Sequence, residues 1–495
     1  MNMRRNAFKC DGQITVFILL VFMLIASLLA AQYRSALFYA IQSDAMQAAN
    51  LSVDSFLASY QKPLKEFYGL LTVDGGYGQK RFALDMIEEE LLQVFNNNLK
   101  SSMIKSQIKG CVLAEQPIFT YFIDDNWDFL IREIRLTSQE SIQIEGLDYI
   151  LEHWKSQKDS AQEEFTYQKQ VAENTNVENE QNTQDEMVQE VKDPRDLIMM
   201  IWNQGILKAA CPKDFRISEK NVQMNDVSYP ENSESVGTFI DLKNDASIQS
   251  LFGNWESILQ PKRYVRMLTD DIAVQNYIKD KFGNAIRSKE MTDNLQTALQ
   301  YEIEYIIGGH ESDSENLKTV LWKLLAIRCI FNLSYLLSSS QKGSQVMVTA
   351  TALSTAFMLP HFTEVVAFAL KLSWAFAEAL ADCRTLLNDG KIPLVKNDDT
   401  WYLEWNDFLN LYEDRLDGNQ SQEGIDYGTY LQILLAFTEK DAKYRRMTHL
   451  MEKNIRQLPE YDGFKMKNCV YGIQAVFGCN LDKFGFYRFQ TALSY

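Results

Sequence analysis

The chain has 495 residues and a formal net charge of −17, because 66 Asp and Glu residues outnumber 49 Lys and Arg residues. An acidic chain is a poor ligand for nucleic acid, whose phosphates require clustered Lys and Arg side chains, so we predict no nucleic-acid partner. The hydrophobic content of 46% is sufficient for one large domain or two ordinary ones.

The first predicted element is an apolar segment near the N-terminus. No charged residue occurs from Gly12 to Tyr33. The residues from Ile14 to Ala31 span about 27 Å as a helix, close to the thickness of a bilayer core. Most of them are Leu, Ile, Val or Phe, which favour insertion by about 4–7 kcal/mol in total. We therefore predict a transmembrane helix over residues 12–33, in contact with the lipid bilayer.

The charges around this segment predict its orientation. Arg4, Arg5 and Lys9 precede it, and positive residues remain on the cytoplasmic side of a membrane. We predict a single-pass protein of the cell membrane, with a cytoplasmic tail over residues 1–11 and an extracytoplasmic ectodomain. A cleaved signal peptide is the alternative, but its apolar region usually has only about 7–15 residues. The length of the segment favours an uncleaved anchor.

The same helix is predicted to continue outside the membrane over residues 34–62, because no Gly or Pro occurs between Gly12 and Pro63. One side of this part carries a small-residue seam at helical spacing, and polar residues occupy the opposite side. We predict a helix–helix interface at the seam, occupied either by a partner protein or by the chain's own ectodomain. The small-residue seam consists of Leu37, Ile41, Ala45, Ala48, Ser52 and Phe56.

The ectodomain is predicted to be α+β and predominantly helical. Residues 63–154 form its N-terminal part, with small β elements near 103–122. Residues 155–193 are acidic, rich in Gln and Asn and poor in apolar residues, so we predict a flexible linker there. Residues 194–495 form a helical C-terminal part, and alternating apolar and polar residues predict a small terminal sheet over 464–490.

No local motif indicates catalysis, a metal or a cofactor. The four histidines are widely spaced and no Cys-x-x-Cys occurs, so a zinc site has no support. We therefore predict no catalytic, cofactor-binding or metal-binding residues, and a protein that is not an enzyme. Carboxylate pairs that hydrolyse glycosides need no local motif, but the neighbours Glu302 and Glu304 are expected on a helix surface.

Six cysteines follow the anchor, and an extracytoplasmic location permits disulfides. Cys329 and Cys383 lie in apolar helical stretches, which is typical of buried thiols. Cys469 and Cys479 flank a possible hairpin and are the best candidate disulfide pair.

Short motifs spread over nearly the whole chain are specific as a set, although each is weak alone. They are Gly12-Gln13-Ile14-Thr15-Val16-Phe17, Ala58-x-Tyr60, Glu66-x-Tyr68-Gly69-Leu70, the run from Glu304 to Gly309, Asn316-Leu317, Arg328 with Asn332, the run from Trp374 to Asp382 and the run from Gly390 to Lys396. Together they resemble an uncharacterised family of membrane proteins from Gram-positive bacteria. Its members are similar to TadE/TadG-like components of the tight-adherence (Tad) pilus system.

The resemblance implies a pseudopilin-like structural or assembly role in a Tad-type pilus or secretion apparatus. The implied partners are pilins or other membrane proteins of that apparatus, in an oligomeric state that stays open. Prepilin-type substrates combine a Gly at the cleavage site with a Glu five residues later, whereas here Phe17 stands five residues after Gly12. A permanent anchor, as in TadG-like members, is therefore expected. No functional residues are established for the family, so none is transferred.

Two other function classes stay open at this level. A membrane-tethered cell-wall hydrolase predicts a polar cleft that holds a carboxylate pair with perturbed pKa values. A surface adhesin or sensor ectodomain predicts exposed apolar or aromatic patches away from the membrane.

Overall fold

The structure is a computed structural model that describes ten segments of the chain. They are residues 11–99, 108–124, 127–137, 205–224, 226–228, 272–292, 295–356, 360–405, 424–482 and 484–495. Within these segments the protein is predominantly helical with a few small strands, which confirms the predicted α+β class. The predicted acidic linker over residues 155–193 lies outside the described residues.

The described elements are mostly helices, together with a few strands. The helices are α1 Asp11–Ala58, α2 Leu84–Asn98, α3 Asp128–Thr137, α4 Ile206–Ala210, α5 Ile272–Lys281, α6 Glu302–Gly308, α7 Asp313–Ser338, α8 Ser340–Ala356, α9 Thr363–Leu387, α10 Tyr427–Ala436 and α11 Lys440–Ile455. The strands are β1 Val73–Asp74, β2 Ile108–Tyr121, β3 Glu290–Thr292, β4 Leu295–Gln296, β5 Cys469–Leu481 and β6 Gly485–Ser494.

The chain divides into two compact units. The first unit combines residues 1–65, 71–124 and 463–495, and the second unit combines residues 66–70 and 125–462. The second unit is thus inserted, along the sequence, between strands β2 and β5 of the first. The predicted C-terminal part over residues 194–495 divides between the two, because its terminal strands belong to the first unit.

The first unit contains an antiparallel sheet around β5. Strand β2 pairs with β5 along most of its length, and β6 pairs with the same stretch of β5. Because both pairings use the same residues of β5, β2 and β6 lie on opposite sides of it. Strand β1 pairs with the beginning of β5. The strands predicted near 103–122 and 464–490 are confirmed, and β6 extends the terminal sheet to Ser494.

The core of the first unit lies between this sheet and two helices. The second half of α1 and the whole of α2 pack together and against the sheet. Phe95 of α2 stacks on Phe477 of β5, with ring centroids 4.7 Å apart and planes inclined by 11°. Alternate residues of β5, such as Ala475 and Cys479, point into this core and are fully buried.

Helix α1 ends at Ala58, four residues before the predicted end at 62. The Gln61 amide donates a hydrogen bond of 2.8 Å to the carbonyl of Thr72 instead of to an α1 carbonyl. A further turn of α1 would need that amide for itself. The backbone contact with the strand region therefore ends the helix before Pro63 is reached.

The second unit is built from helices around α7 and α9, which pack along each other. Helix α6 packs on α7 and α11, and α5 packs on α3 and α10. The apolar side of α7 faces this interior, since Val320, Leu321 and Leu324 are fully buried. Cys329 and Cys383 are buried thiols, as predicted.

The packing of α1 generates the first prediction. Ala48 is buried against the first unit's own core, whereas Ala40, on the same helix, is exposed. A leucine at position 48 would overfill this core, so we expect Ala48→Leu to lower the free energy of unfolding of the first unit by about 1–3 kcal/mol. The measurement is the urea midpoint of protease resistance for the detergent-solubilised full chain. The matched variant Ala40→Leu should unfold like wild type, and equal midpoints for both variants would contradict this packing.

Candidate membrane anchor and buried charge clusters

The first half of α1 is an exposed apolar helix. Every residue from Ile14 to Ala36 is exposed, including large side chains such as Phe17, Phe22 and Leu24. Soluble monomers rarely expose a contiguous apolar surface beyond a few hundred Å². The apolar part of α1 has a mean hydropathy of 2.9 and no buried share. This helix therefore indicates a membrane anchor.

Helix α7 is also long and apolar enough to cross a bilayer, with a mean hydropathy of 1.6. Its apolar window is 67% buried inside the protein, because α6 and α9 cover it. A helix whose apolar face is already covered in this way is typical of a protein core. Of the two described helices that are long and apolar enough to cross a bilayer, α1 is thus the one whose apolar surface is exposed and available to lipid.

The small-residue seam packs against the chain's own first unit. Ile41, Ala45 and Ala48 are fully buried in a core shared with α2 and the sheet, and Leu37 packs at its margin. Ser52 donates a hydrogen bond of 2.6 Å from Oγ to the carbonyl of Leu91 on α2. In the structure, the helix that approaches the seam closely is α2. The chain's own first unit therefore covers the seam, including Phe56.

The opposite side of α1 stays uncovered. Tyr39 is 65% exposed and Met46 is 40% exposed, and seven residues of helix place them on the same face. The polar residues predicted on this side, such as Ser43 and Gln47, are exposed. The exposed side of the second half of α1 is therefore a face of mixed apolar and polar residues. This face is continuous with the exposed apolar half of the same helix.

The predicted disulfide between Cys469 and Cys479 is wrong. Both residues lie on the single strand β5, and Cys469 is its first residue. Residues ten positions apart in a strand are separated by about 33 Å, whereas a disulfide needs Cα atoms within about 7 Å. The residue opposite Cys479 is Cys111 on β2. Sequence alone gave no sign of this cross-strand pairing, because its two members lie far apart in the chain.

An ionic cluster is buried between α7 and α9 in the second unit. Arg328 on α7 donates a hydrogen bond of 2.9 Å from Nε to Asp382 on α9, and Asn332 donates one of 3.0 Å to the same oxygen. Lys396 lies 2.6 Å from the other Asp382 oxygen and also pairs with Glu378. All five side chains are nearly or completely inaccessible to solvent.

The ionic cluster also fixes the backbone that follows α9. Arg328 donates from Nη1 to the carbonyls of Pro393 and Leu394, at 3.0 and 2.8 Å. Glu378 accepts hydrogen bonds from the amides of Tyr402 and Leu403. Burial acts to raise the pKa of Asp382, but the positive charges of Arg328 and Lys396 outweigh it and hold this pKa below its usual value. The cluster is a closed structural network.

A second cluster of buried acidic groups surrounds the start of α6. Glu302 and Glu304 are fully buried, so the expectation that they lie on a helix surface is wrong. Glu302 accepts hydrogen bonds from the Gly283 amide and from the Asn454 side chain, at 2.8 and 2.6 Å. The surrounding loop requires acceptors here, and sequence periodicity does not reveal that requirement.

Glu304 and Asp313 complete this carboxylate cluster. Glu304 accepts from the Ala285 amide at 2.9 Å and from the Tyr427 hydroxyl at 2.8 Å. Asp313 accepts from the amides of Gln300 and Tyr301. Asp313 is the first residue of α7. The three carboxylates therefore hold loops together from inside the unit.

Burial raises the pKa of both Glu302 and Glu304 to about 7, and the nearby charge of Asp313 adds to this effect. The hydrogen bonds donated to the two carboxylates act in the opposite direction but do not cancel it. Raised carboxyl pKa values are a feature of many catalytic sites. Here both groups are buried and accept hydrogen bonds from the protein's own backbone and side chains.

Among the described residues, no group of three or more His, Cys, Asp or Glu side chains could hold a metal ion. A family model described as a family of unknown function (DUF5702) matches residues 184–481. No curated protein and no solved structure matches the chain. The matched region covers the ionic cluster and the carboxylate cluster, and it extends into β5.

The exposed half of α1 leads to a prediction about membrane attachment. Arginine at the centre of a transmembrane helix opposes insertion by about 2.5–3.5 kcal/mol, so Leu20→Arg combined with Leu24→Arg should offset most of the apolar driving force. We expect the double variant to leave the carbonate-resistant membrane fraction. The matched variant with Ser43→Arg and Gln47→Arg, on the exposed side of the same helix, should stay in it. A wild-type membrane fraction that lacks the peptide containing Ile14 would contradict an anchor and indicate a cleaved signal sequence.

The carboxylate cluster leads to a prediction about pH. Because the folded-state pKa of Glu304 is about 7 and the unfolded value about 4.5, the folded protein binds more protons between these values. Glu304 therefore contributes to the free energy of unfolding at low pH, and this contribution is lost as the pH rises through 7. Between pH 5 and 8.5 the wild type should lose about 3 kcal/mol of stability that the variant Glu304→Gln, which retains an acceptor oxygen, does not lose.

The measurement is the difference in the free energy of unfolding between variant and wild type across this pH range. Using the difference cancels His449, whose pKa burial lowers to about 3 and which changes stability in the opposite direction. The control Glu315→Gln alters an exposed glutamate of the same region and should leave the pH profile unchanged. Parallel profiles for Glu304→Gln and wild type would show that Glu304 does not titrate near neutrality.

Proposed function

The chain belongs to a family of unknown function, DUF5702, so its role must be argued from its own geometry, and we propose a structural or assembly protein anchored in the membrane. In this proposal α1 crosses the bilayer once, with its N-terminus in the cytoplasm and both units outside. The observation that carries the proposal is the division of α1 into an exposed apolar half and a half packed on an antiparallel sheet.

This division suits a pseudopilin-like subunit of a Tad-type pilus or secretion apparatus. The packed half of α1 fixes the helix firmly to a folded unit, and the free half presents an apolar surface to lipid or to similar helices. Helices in a membrane associate through such surfaces by close packing. The basic residues Arg4, Arg5 and Lys9 before the helix support the proposed orientation.

We further propose that the protein has no catalytic activity of its own. The pair of carboxylates with raised pKa values is closed to substrate by burial. Ser59, which with Lys62 forms the Ser-x-x-Lys pattern of penicillin-recognising enzymes, donates a hydrogen bond of 2.6 Å to the carbonyl of Phe56 at the end of α1. Both features favour structural roles for these residues over a cell-wall hydrolase.

The proposed partner surface is the uncovered face of α1 around Tyr39 and Met46. Substitutions in the small-residue seam cannot test it, because they would disturb the protein's own core. We propose photocrosslinking in intact cells, with benzoylphenylalanine placed at position 39 or 46. The expected result is a covalent adduct with another membrane protein that has an N-terminal apolar helix, such as a pilin.

The matched control places the same amino acid at Asp462, outside α1 and near a unit boundary. We expect no pilin-type adduct from that position. Adducts from position 39 that contain only cell-wall synthesis proteins would contradict a pilus role and favour the hydrolase alternative. The absence of any adduct from positions 39 and 46 would contradict this face of α1 as the assembly surface.

A further inference from the structure

Two cysteines occupy directly opposed positions on neighbouring antiparallel strands. Cys111 on β2 is the Cα partner of Cys479 on β5, and their Sγ atoms are 2.7 Å apart. Opposed residues in an antiparallel pair have Cα atoms about 4.5–5.5 Å apart, within the range that a disulfide bridges. The backbone of the first unit therefore holds the two sulfur atoms where a covalent bond can form.

The surroundings of the two thiols differ. Cys479 is fully buried in the core of the first unit, whereas Cys111 is only partly buried and packs at the margin of that core. Either sulfur can donate in the contact between them, and this contact with Cys479 lowers the pKa of Cys111. Cys111 is thus the more accessible member of the pair, and Cys479 is the protected one.

The other described cysteines lack these features. Cys211, Cys329, Cys383 and Cys469 are all buried, and burial raises the pKa of Cys329 to about 12. A buried thiol with a raised pKa is a poor nucleophile. Partial exposure together with an opposed cysteine in strand register is found, among the described residues, at Cys111.

We propose that Cys111 and Cys479 form a disulfide that links β2 to β5, made by exchange with a disulfide-bonded oxidant. Its presence in the cell rests on the proposed function, since an extracytoplasmic location is the one that sustains disulfides. The site itself rests only on the register and the sulfur contact in the first unit.

The reaction balances as two exchange steps. The Cys111 thiolate attacks one sulfur of the oxidant's disulfide, forms a mixed disulfide and releases one oxidant thiolate. The Cys479 thiolate then attacks the Cys111 sulfur, forms the protein disulfide and releases the second oxidant thiolate. The protein loses two protons and two electrons, and the oxidant's disulfide is reduced to two thiols.

The bond would close an unusually long segment of chain. Cys111 and Cys479 are 368 positions apart, and the segment between them contains nearly all of the second unit. A cross-link restricts the unfolded chain more when it closes a longer loop. The disulfide would therefore hold together the two strands between which the second unit is inserted, even while that unit unfolds.

The test uses the purified full chain in detergent, first reduced with dithiothreitol and freed from it, with oxidised glutathione as the probe. After denaturation, the remaining thiols are labelled with N-ethylmaleimide and counted by mass. The chain has seven cysteines, so we expect two fewer labels after oxidation and a non-reduced peptide joining Cys111 to Cys479. Oxidation should also raise the unfolding temperature of the first unit by on the order of 5–10 °C. Full labelling at every glutathione ratio, or a peptide joining another pair, would overturn the proposal.

Two variants control this experiment. Cys111→Ser should lose the linked peptide and keep all of its remaining thiols available for labelling. Cys329→Ala removes a buried thiol of the second unit and should retain the link. The wild-type peptide map decides the question even if Cys111→Ser fails to fold, because it identifies the bonded residues directly.

A second arm separates this inference from the proposed topology. Thiols are blocked in intact cells before lysis, and the pair is then mapped in the same way. A linked pair in cells supports both the disulfide and the extracytoplasmic location. A pair that is reduced in cells, yet linked by glutathione after purification, supports the disulfide site and contradicts the proposed location.

Discussion

The pairing of β5 with strands on both of its sides is the interaction on which the first unit depends. Its hydrogen bonds join β2 on one side to β6 and β1 on the other. One face of the resulting sheet, with Phe477 at its centre, supplies the surface on which α1 and α2 pack. Without β5 the sheet has no central strand, and the buried side of α1 loses the sheet that covers it together with α2.

The second unit contains buried ion pairs that join its helices. Its ionic cluster joins α7, α9 and the segment after α9, and it is built from residues that also carry the sequence motifs, such as Arg328, Asp382 and Lys396. Removing one partner of a buried ion pair leaves the other charge without compensation, which typically costs several kcal/mol. The motif residues Arg328, Asp382 and Lys396 thus neutralise one another's buried charges.

The sequence predicted those features that local patterns determine. The long α1, the exposed apolar segment and the small strands follow from hydrophobic periodicity and from the positions of Gly and Pro. The occupant of the small-residue seam, the partner of Cys479 and the burial of Glu304 depend on contacts between distant parts of the chain. Periodicity shows that a surface is apolar or that a carboxylate is on a helix, but tertiary contacts decide what covers each of them.

The position of β5 in the chain has a consequence for biosynthesis. Helix α1 precedes the inserted unit in the chain, whereas β5, the central strand of its sheet, follows that unit. During synthesis the part of the inner side of α1 that contacts β5 and β6, unlike the part that α2 covers, is therefore buried only after the inserted unit has been made. A chain that stops before β5 leaves that part of the apolar helix face exposed.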